Sequence, residues 1–167
     1  MNNRLTLKGV VVHLVEETNS DFVWQIMDEN HKYYGALFSK GSGLEEAGHG
    51  GTTRFVTNCG LILLVGERHP EVLPPDSPST DELLHRMSIA LDYMHRAQRP
   101  SGLIDLRSTN YDSSPDTGFV LELLCALTSI SQGSSILAEP LKKIESFIRR
   151  AVPGVKIGGF HTPNHRW

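Results

Sequence analysis

Wholly apolar and amphipathic segments alternate along this chain, and that alternation constrains its fold more than any other feature. A helix that is apolar on nearly every side needs neighbours all round it. An amphipathic helix supplies that cover and keeps one face in water. Thr52 to Val65 is of the first kind, with Phe55, Val56, Leu61, Ile62, Leu63, Leu64 and Val65 leaving little polar surface. So is the stretch that opens at Ser114-Pro115-Asp116-Thr117 and runs through Phe119, Leu123 and Leu127 to Ile130, where Glu122 is the lone charge. Three segments are of the second kind. Leu5 to Thr18 places Leu7, Val10, Val11, Leu14 and Val15 on one stripe, and the residues after Ser79 do the same with Leu83, Leu84, Met87, Leu91 and Met94. Glu139 to Val152 sets Leu141, Ile144, Phe147 and Ile148 apart from Lys142, Lys143, Glu145, Arg149 and Arg150.

The boundaries are marked by capping chemistry. Ser79-Thr80-Asp81-Glu82 fits a capping box, with Ser79 as N-cap and Glu82 reaching back. Pro115 suits a first helical position, where its missing N–H costs nothing, and Asp116 faces the positive helix end. Pro153-Gly154 is expected to stop the last helix. Between Asn19 and Gly51 the chain reads as one long irregular loop with six glycines from Gly35 onward, a length that calls for a function. Strand signals are weak throughout. Three polar approaches to helices resemble one another: His49-Gly50-Gly51-Thr52-Thr53-Arg54-Phe55, Asp112-Ser113-Ser114-Pro115-Asp116-Thr117-Gly118-Phe119 and His161-Thr162-Pro163-Asn164-His165-Arg166-Trp167. Such repetition points to a helical hairpin used more than once. The expectation is an all-α fold of helical hairpins forming part of an (α/α) toroid, one domain over residues 1–167, with a third inner helix cut off at Trp167.

Bulk properties exclude several classes. The 39% apolar and 21% charged fractions suit a folded chain rather than a disordered or membrane-embedded one. A net charge of −3 lacks the basic surface that nucleic acid requires. The apolar run Val10-Val11-Val12 is too short for a signal-peptide core, so no membrane association is expected and the cytoplasm is the expected compartment. Cys59 and Cys125 each lie in or beside an apolar run, which predicts buried free thiols rather than a disulfide or a metal pair.

If the inner helices run parallel, their N-termini meet at one end of the molecule. Unpaired N–H groups and the positive helix ends would favour an anionic ligand there. The polar approaches would gather His49, Arg54, Asn110, Tyr111, Asp112, Asp116, His161, Asn164, His165 and Arg166 around one depression, with Tyr33, Tyr34, Tyr111 and Trp167 available to stack on sugar faces. Three segments also resemble the opening half of bacterial heparinase II/III-like proteins: Gly48-His49-Gly50-Gly51-Thr52; Gln98-Arg99-Pro100-Ser101-Gly102-Leu103-Ile104-Asp105 with Ser108-Thr109-Asn110-Tyr111-Asp112; and Gly158 to Trp167. The resemblance runs from about residue 44 onward. It implies an (α/α) toroid and a polysaccharide lyase that cleaves uronate sugars by β-elimination. On that resemblance Asn164 and Arg166 would neutralise the uronate carboxylate, His165 would be a base candidate, and Tyr111 the acid or second base. His49, Arg54, Asn110, Asp112, Asp116, His161 and Trp167 would contact the saccharide. No cofactor or metal is implied.

Plainer readings compete. Asn164-His165-Arg166 also suits a solvated helix start, Tyr111-Asp112-Ser113-Ser114 an Asx-type turn, and Asp116 a first-turn helix stabiliser. His49-Gly50-Gly51 is not an esterase oxyanion loop, because no G-x-S-x-G exists in the chain. His49, His161 and His165 lack a metal-ligand spacing. Two other functions stay open. One is a glycoside hydrolase using carboxylates from among Asp105, Asp112 and Asp116. The other is a non-catalytic binding or assembly module, which would self-associate through the exposed apolar flanks of its inner helices.

Overall fold

The computed structural model describes residues 6–39, 48–106 and 110–158. Five helices make up most of it: α1 (Leu7–Phe22), α2 (His49–Arg68), α3 (Thr80–Ala97), α4 (Ser114–Ile130) and α5 (Ala138–Ile157). A 3-10 turn at Pro70–Val72 follows α2, and two short antiparallel strands, β1 (Ile104–Leu106) and β2 (Asn110–Ser113), precede α4. The fold is all-α, as the alternating pattern predicts.

α2 and α4 lie side by side and parallel. Their first turns share one cavity, Gly60 faces Leu127 at mid-length, and Glu67 bonds to the turn after α4. The other three helices run the opposite way. Arg54 near the start of α2 meets Asp21 at the end of α1, and Thr53 meets Met94 at the end of α3. α5 returns along α4 after the turn at 131–137, and it also touches α3. The core sits where these helices meet, around Phe55, Ile62, Leu83, Met87, Met94, Leu124, Leu127, Ile144 and Phe147, none more than 2% exposed. Each such side chain contributes about 1.5–3 kcal/mol through burial.

The structure corrects several boundaries. α1 extends past Thr18 to Phe22, and α2 opens at His49 rather than Thr52, so the expected loop over 19–51 shrinks from both ends. Of that loop, residues 23–39 fold into a compact turn tied by a bridge between Gln25 and Leu37. Gly35 is left-handed there, and a Cβ would stand 2.2 Å from the Ile89 carbonyl oxygen. Ser79 caps α3 by accepting from the Glu82 amide, but the Glu82 carboxylate pairs with Arg86 instead of reaching back. α5 runs through Pro153 to Ile157 and ends at left-handed Gly158. Its continuation is favoured by packing: Gly154 is buried so closely on Ser101 and Leu103 that no side chain fits. Cys59 is buried, and burial raises its thiol pKa; Cys125, expected to be buried, is exposed. α4 is not covered all round, and Phe119, Leu123 and Ile130 face solvent. Among the described residues, no helix is long and apolar enough to cross a membrane.

Candidate functional site

The polar approaches to α2 and α4 converge as their parallel course requires. A cavity of about 300 Å³ lies between them, lined by Gly48, His49 and Gly50 of the α2 start, Ile104, Asp105 and Leu106 of β1, and Asp116, Phe119, Val120 and Leu123 of α4. Its size suits a small ligand or one unit of a chain. Most of that lining is apolar, and one of its polar members, Asp116, is held by the capping chemistry of α4. Ser113 is the N-cap of α4; its Oγ accepts from the Asp116 amide at 3.3 Å and donates to Asp116 Oδ2 at 2.6 Å. Buried Asn110 donates its Nδ2–H to the same oxygen at 3.0 Å. Thr117 Oγ1 donates to the Ser113 carbonyl and accepts from the Ile104 amide, which fastens β1 to the helix start. Asp116 thus shares three hydrogen bonds with Ser113 and Asn110, a geometry suited to fixing the α4 end in place.

A second cluster flanks the first. Arg99 Nε lies 2.9 Å from both carboxylate oxygens of Asp105, and its Nη2 is 2.6 Å from Oδ2. That partner raises the Arg99 pKa further above its ordinary value, first through the hydrogen bond and then through charge. Asp105 Oδ1 also accepts from the Asp112 amide at 2.8 Å, and the Asp112 carboxylate accepts from Ser101 Oγ. Asp112 takes a left-handed φ of 51°, which Asp tolerates better than most residues. Tyr111, between Asn110 and Asp112, is 56% exposed, and its ring centroid lies 6.0 Å from the Arg99 guanidinium carbon. A phenol held between two anchored neighbours and facing water can contact a passing ligand.

The structure separates other expected members of the site. Arg54 points away from Asp116 into another depression of about 360 Å³, where Asp21, Ser39, Gly48, Gly50 and Gly51 are neighbours. There it pairs with Glu17 at 3.1 Å and Asp21 at 3.2 Å. Among the described residues the two depressions share Gly48 and Gly50 alone. Arg54 therefore belongs to the α1–α2 contact and not to the expected single bowl. His49 is buried beside Tyr93, ring centroids 5.7 Å apart, while lining the cavity. Tyr33 is likewise buried against Tyr93, away from Tyr111. His161, Asn164, His165, Arg166 and Trp167 lie outside the described residues.

Sequence reading overlooked the Arg99–Asp105 clamp as a unit. The two flank Pro100-Ser101-Gly102, a turn-forming run that could have revealed their pairing. The Glu17 and Asp21 partners of Arg54 left no local signal, being more than thirty residues away. Among the described residues, no three potential metal ligands gather.

These features define a class, an all-α domain with a cavity, mostly apolar but bearing His49, Asp105 and Asp116, at the shared N-terminal end of a parallel helix pair. Compared with family models, curated proteins and solved structures, the chain matches none.

Proposed function

We propose that this chain forms part of a carbohydrate-active (α/α) toroid, and that its cavity at the α2 and α4 starts forms one wall of a saccharide cleft. The observation carrying this reading is the convergence of His49, Asp105 and Asp116 on one cavity of about 300 Å³, with exposed Tyr111 on the adjoining strand. The resemblance to heparinase II/III-like proteins supplies the reaction. In a β-elimination the C5–H and C4–O bonds of a uronate break and a C4=C5 double bond forms. The proton passes to a base, and the departing glycosidic oxygen receives one from an acid. Tyr111 and His165 are the acid and base. Asn164 and Arg166 neutralise the carboxylate, a role that Arg99 and Arg54 are poorly placed to fill because Asp105 in one case, and Glu17 with Asp21 in the other, already engage them. Asn110, Asp112 and Asp116 then act as positioning residues that hold the Tyr111 strand and the α4 start.

One observation favours a second reading. Asp105 and Asp116 both line the cavity, and paired carboxylates are the machinery of glycoside hydrolysis. A single assay separates the two. The protein is incubated with uronate oligosaccharides and the ultraviolet absorbance of the unsaturated product is followed alongside reducing ends. The lyase reading expects both signals, and their loss in Tyr111→Phe and His165→Ala. Reducing ends without the chromophore select the hydrolase, and neither signal with any uronate substrate removes the enzymatic reading.

A further inference from the structure

A smaller cavity, of about 220 Å³, lies where the compact turn over residues 23–39 meets the end of α3. Lys32, Tyr33, Tyr93, Arg96 and Ala97 line it, none of them shared with the cavity at the α2 and α4 starts. Tyr33 and Tyr93 form its buried side, their rings edge-on with centroids 6.4 Å apart. Two exposed cations complete it. The Lys32 ammonium lies 4.6 Å from the centre of the Tyr33 ring, a cation–π distance. The Arg96 guanidinium donates through Nη2 to the Tyr34 carbonyl at 2.7 Å. The turn that carries Lys32 and Tyr34 is braced in its own right. The Tyr34 amide donates to the His31 carbonyl at 2.9 Å, and the Gly35 amide to the Ile26 carbonyl at 2.8 Å.

The charges around this cavity leave it positive. Among the described residues neither Lys32 nor Arg96 meets a carboxylate, whereas Arg54, Arg86, Arg99, Lys142, Lys143 and Arg149 each do. The acids nearest along the chain are engaged or stand elsewhere. Asp28 accepts from the Asn30 amide at 2.9 Å, Asp92 lies 2.6 Å from the Lys143 ammonium, and Glu29 does not line the cavity. The α3 end is a negative pole, but Arg150 donates to the His95 carbonyl there at 3.5 Å and offsets it. We infer that this cavity binds a tetrahedral oxyanion, of the class of inorganic phosphate and phosphate monoesters. A dianion matches the two facing cations in charge, and its oxygens can accept from both at once. Arg96 offers the N–H groups it does not give to Tyr34, and Lys32 its ammonium. The buried tyrosine rings exclude water from one side, which strengthens those contacts. The volume falls below the roughly 300 Å³ at which drug-sized sites begin, so a compact group is favoured. With the other side open to solvent and salt, a Kd on the order of 1 mM is expected. The inference uses no residue of the saccharide reading, and the two stand or fall separately.

Amide NMR of the whole chain tests it, by titration with sodium phosphate at about pH 8, where phosphate is a dianion. Sodium chloride of equal ionic strength is the control. Saturable shifts are expected at Lys32, Tyr33, Arg96 and Ala97, and chloride should not reproduce them. Lys32→Gln and Arg96→Gln should each weaken binding about tenfold, with circular dichroism confirming the fold. Lys32→Arg keeps the charge and should retain binding, and Lys156→Gln, on the exposed end of α5, should bind as wild type. Shifts that grow without saturation, or that saturate at other residues, overturn the inference. So does affinity undiminished in Lys32→Gln, or lost equally in Lys32→Arg.

Discussion

α2 and α4 are the two most apolar-looking stretches of the chain, and they meet different fates. Twelve of the 20 residues of α2 are buried, against six of the 17 of α4. The difference lies in neighbours rather than composition. Among the described residues α2 is enclosed by α1, α3 and α4, whereas α4 packs on α2, α5 and the short strand β1 and keeps more of its side chains exposed. α4 nevertheless has the more elaborate start, with Ser113 accepting from the Asp116 amide, while α2 begins at Gly48 with no side-chain cap. Burial therefore holds α2, and capping helps to hold α4.

The largest expected effect breaks the comparison at its simplest point. Phe55→Ala in α2 removes a fully buried ring that packs edge-on to Phe22 at 6.0 Å, and should cost about 3–5 kcal/mol in urea unfolding. Phe119→Ala in α4 removes an exposed ring and should change stability by no more than about 0.5 kcal/mol. Equal losses would mean that the Phe119 ring is better covered than its exposure suggests.

That contrast shows how much of the molecule was legible in the residues. Periodicity located the five helices of the described residues, because an apolar stripe or an apolar run is a local property. It could not report which face of α4 is covered, since that depends on how many helices surround it. Helix ends were legible where a cap is local, as at Ser79, and illegible where a distant partner decides. Pro153 reads as a stop, yet α5 continues because Gly154 seats against Ser101 and Leu103, some fifty residues earlier. The strands β1 and β2 were missed because they are three and four residues long and lack alternation. The site was partly legible for the same reason. His49 and Asp116 converge because parallel helices bring their starts together, whereas Arg54 was assigned to the wrong side of α2 because its partners are remote.

The next test sharpens the difference between the two helix starts. Asp116→Ala leaves buried Asn110 and Ser113 without the oxygen they both donate to, and should cost about 1–3 kcal/mol. Gly48→Ser at the α2 start, where φ is −88°, ψ is 139° and a Cβ meets nothing within 4 Å, should stabilise by a few tenths of a kcal/mol. A neutral Asp116→Ala would free that carboxylate from its structural role and favour the hydrolytic reading.

The same substitution should also carry opposite signs on the two helices. Gly60→Ala in α2 would bring a Cβ within 2.8 Å of Leu127, a buried side chain with little room to move. Overpacking of about 1–3 kcal/mol outweighs the roughly 1 kcal/mol gained in helix propensity, so a net loss of about 1 kcal/mol is expected. Gly118→Ala on the open side of α4 meets nothing within 4 Å and should stabilise by about 0.4–1 kcal/mol. Thermal unfolding reads both. A stabilising Gly60→Ala would show that the α2–α4 contact is looser than its geometry implies.

At the far end of the helix pair the two are joined by Glu67. Its carboxylate accepts from Ser134 Oγ at 2.5 Å, Ser135 Oγ at 2.8 Å, and the Ser135 and Ile136 amides at 2.9 and 3.4 Å. These donors, the two hydroxyls foremost, lower its pKa to about 2. A folded value below the unfolded one, about 4.3 for a free glutamate, makes the unfolded chain bind the proton first as pH falls. The stabilisation is therefore complete above the unfolded value and disappears on descent toward pH 2. Glu67→Gln should lower the melting temperature modestly at neutral pH, the smallest effect of the series because the group is exposed to water. The gap between variant and wild type should close across that acidic window. A gap that stays constant down to pH 2 would mean that shape and not charge joins the end of α2 to the turn after α4.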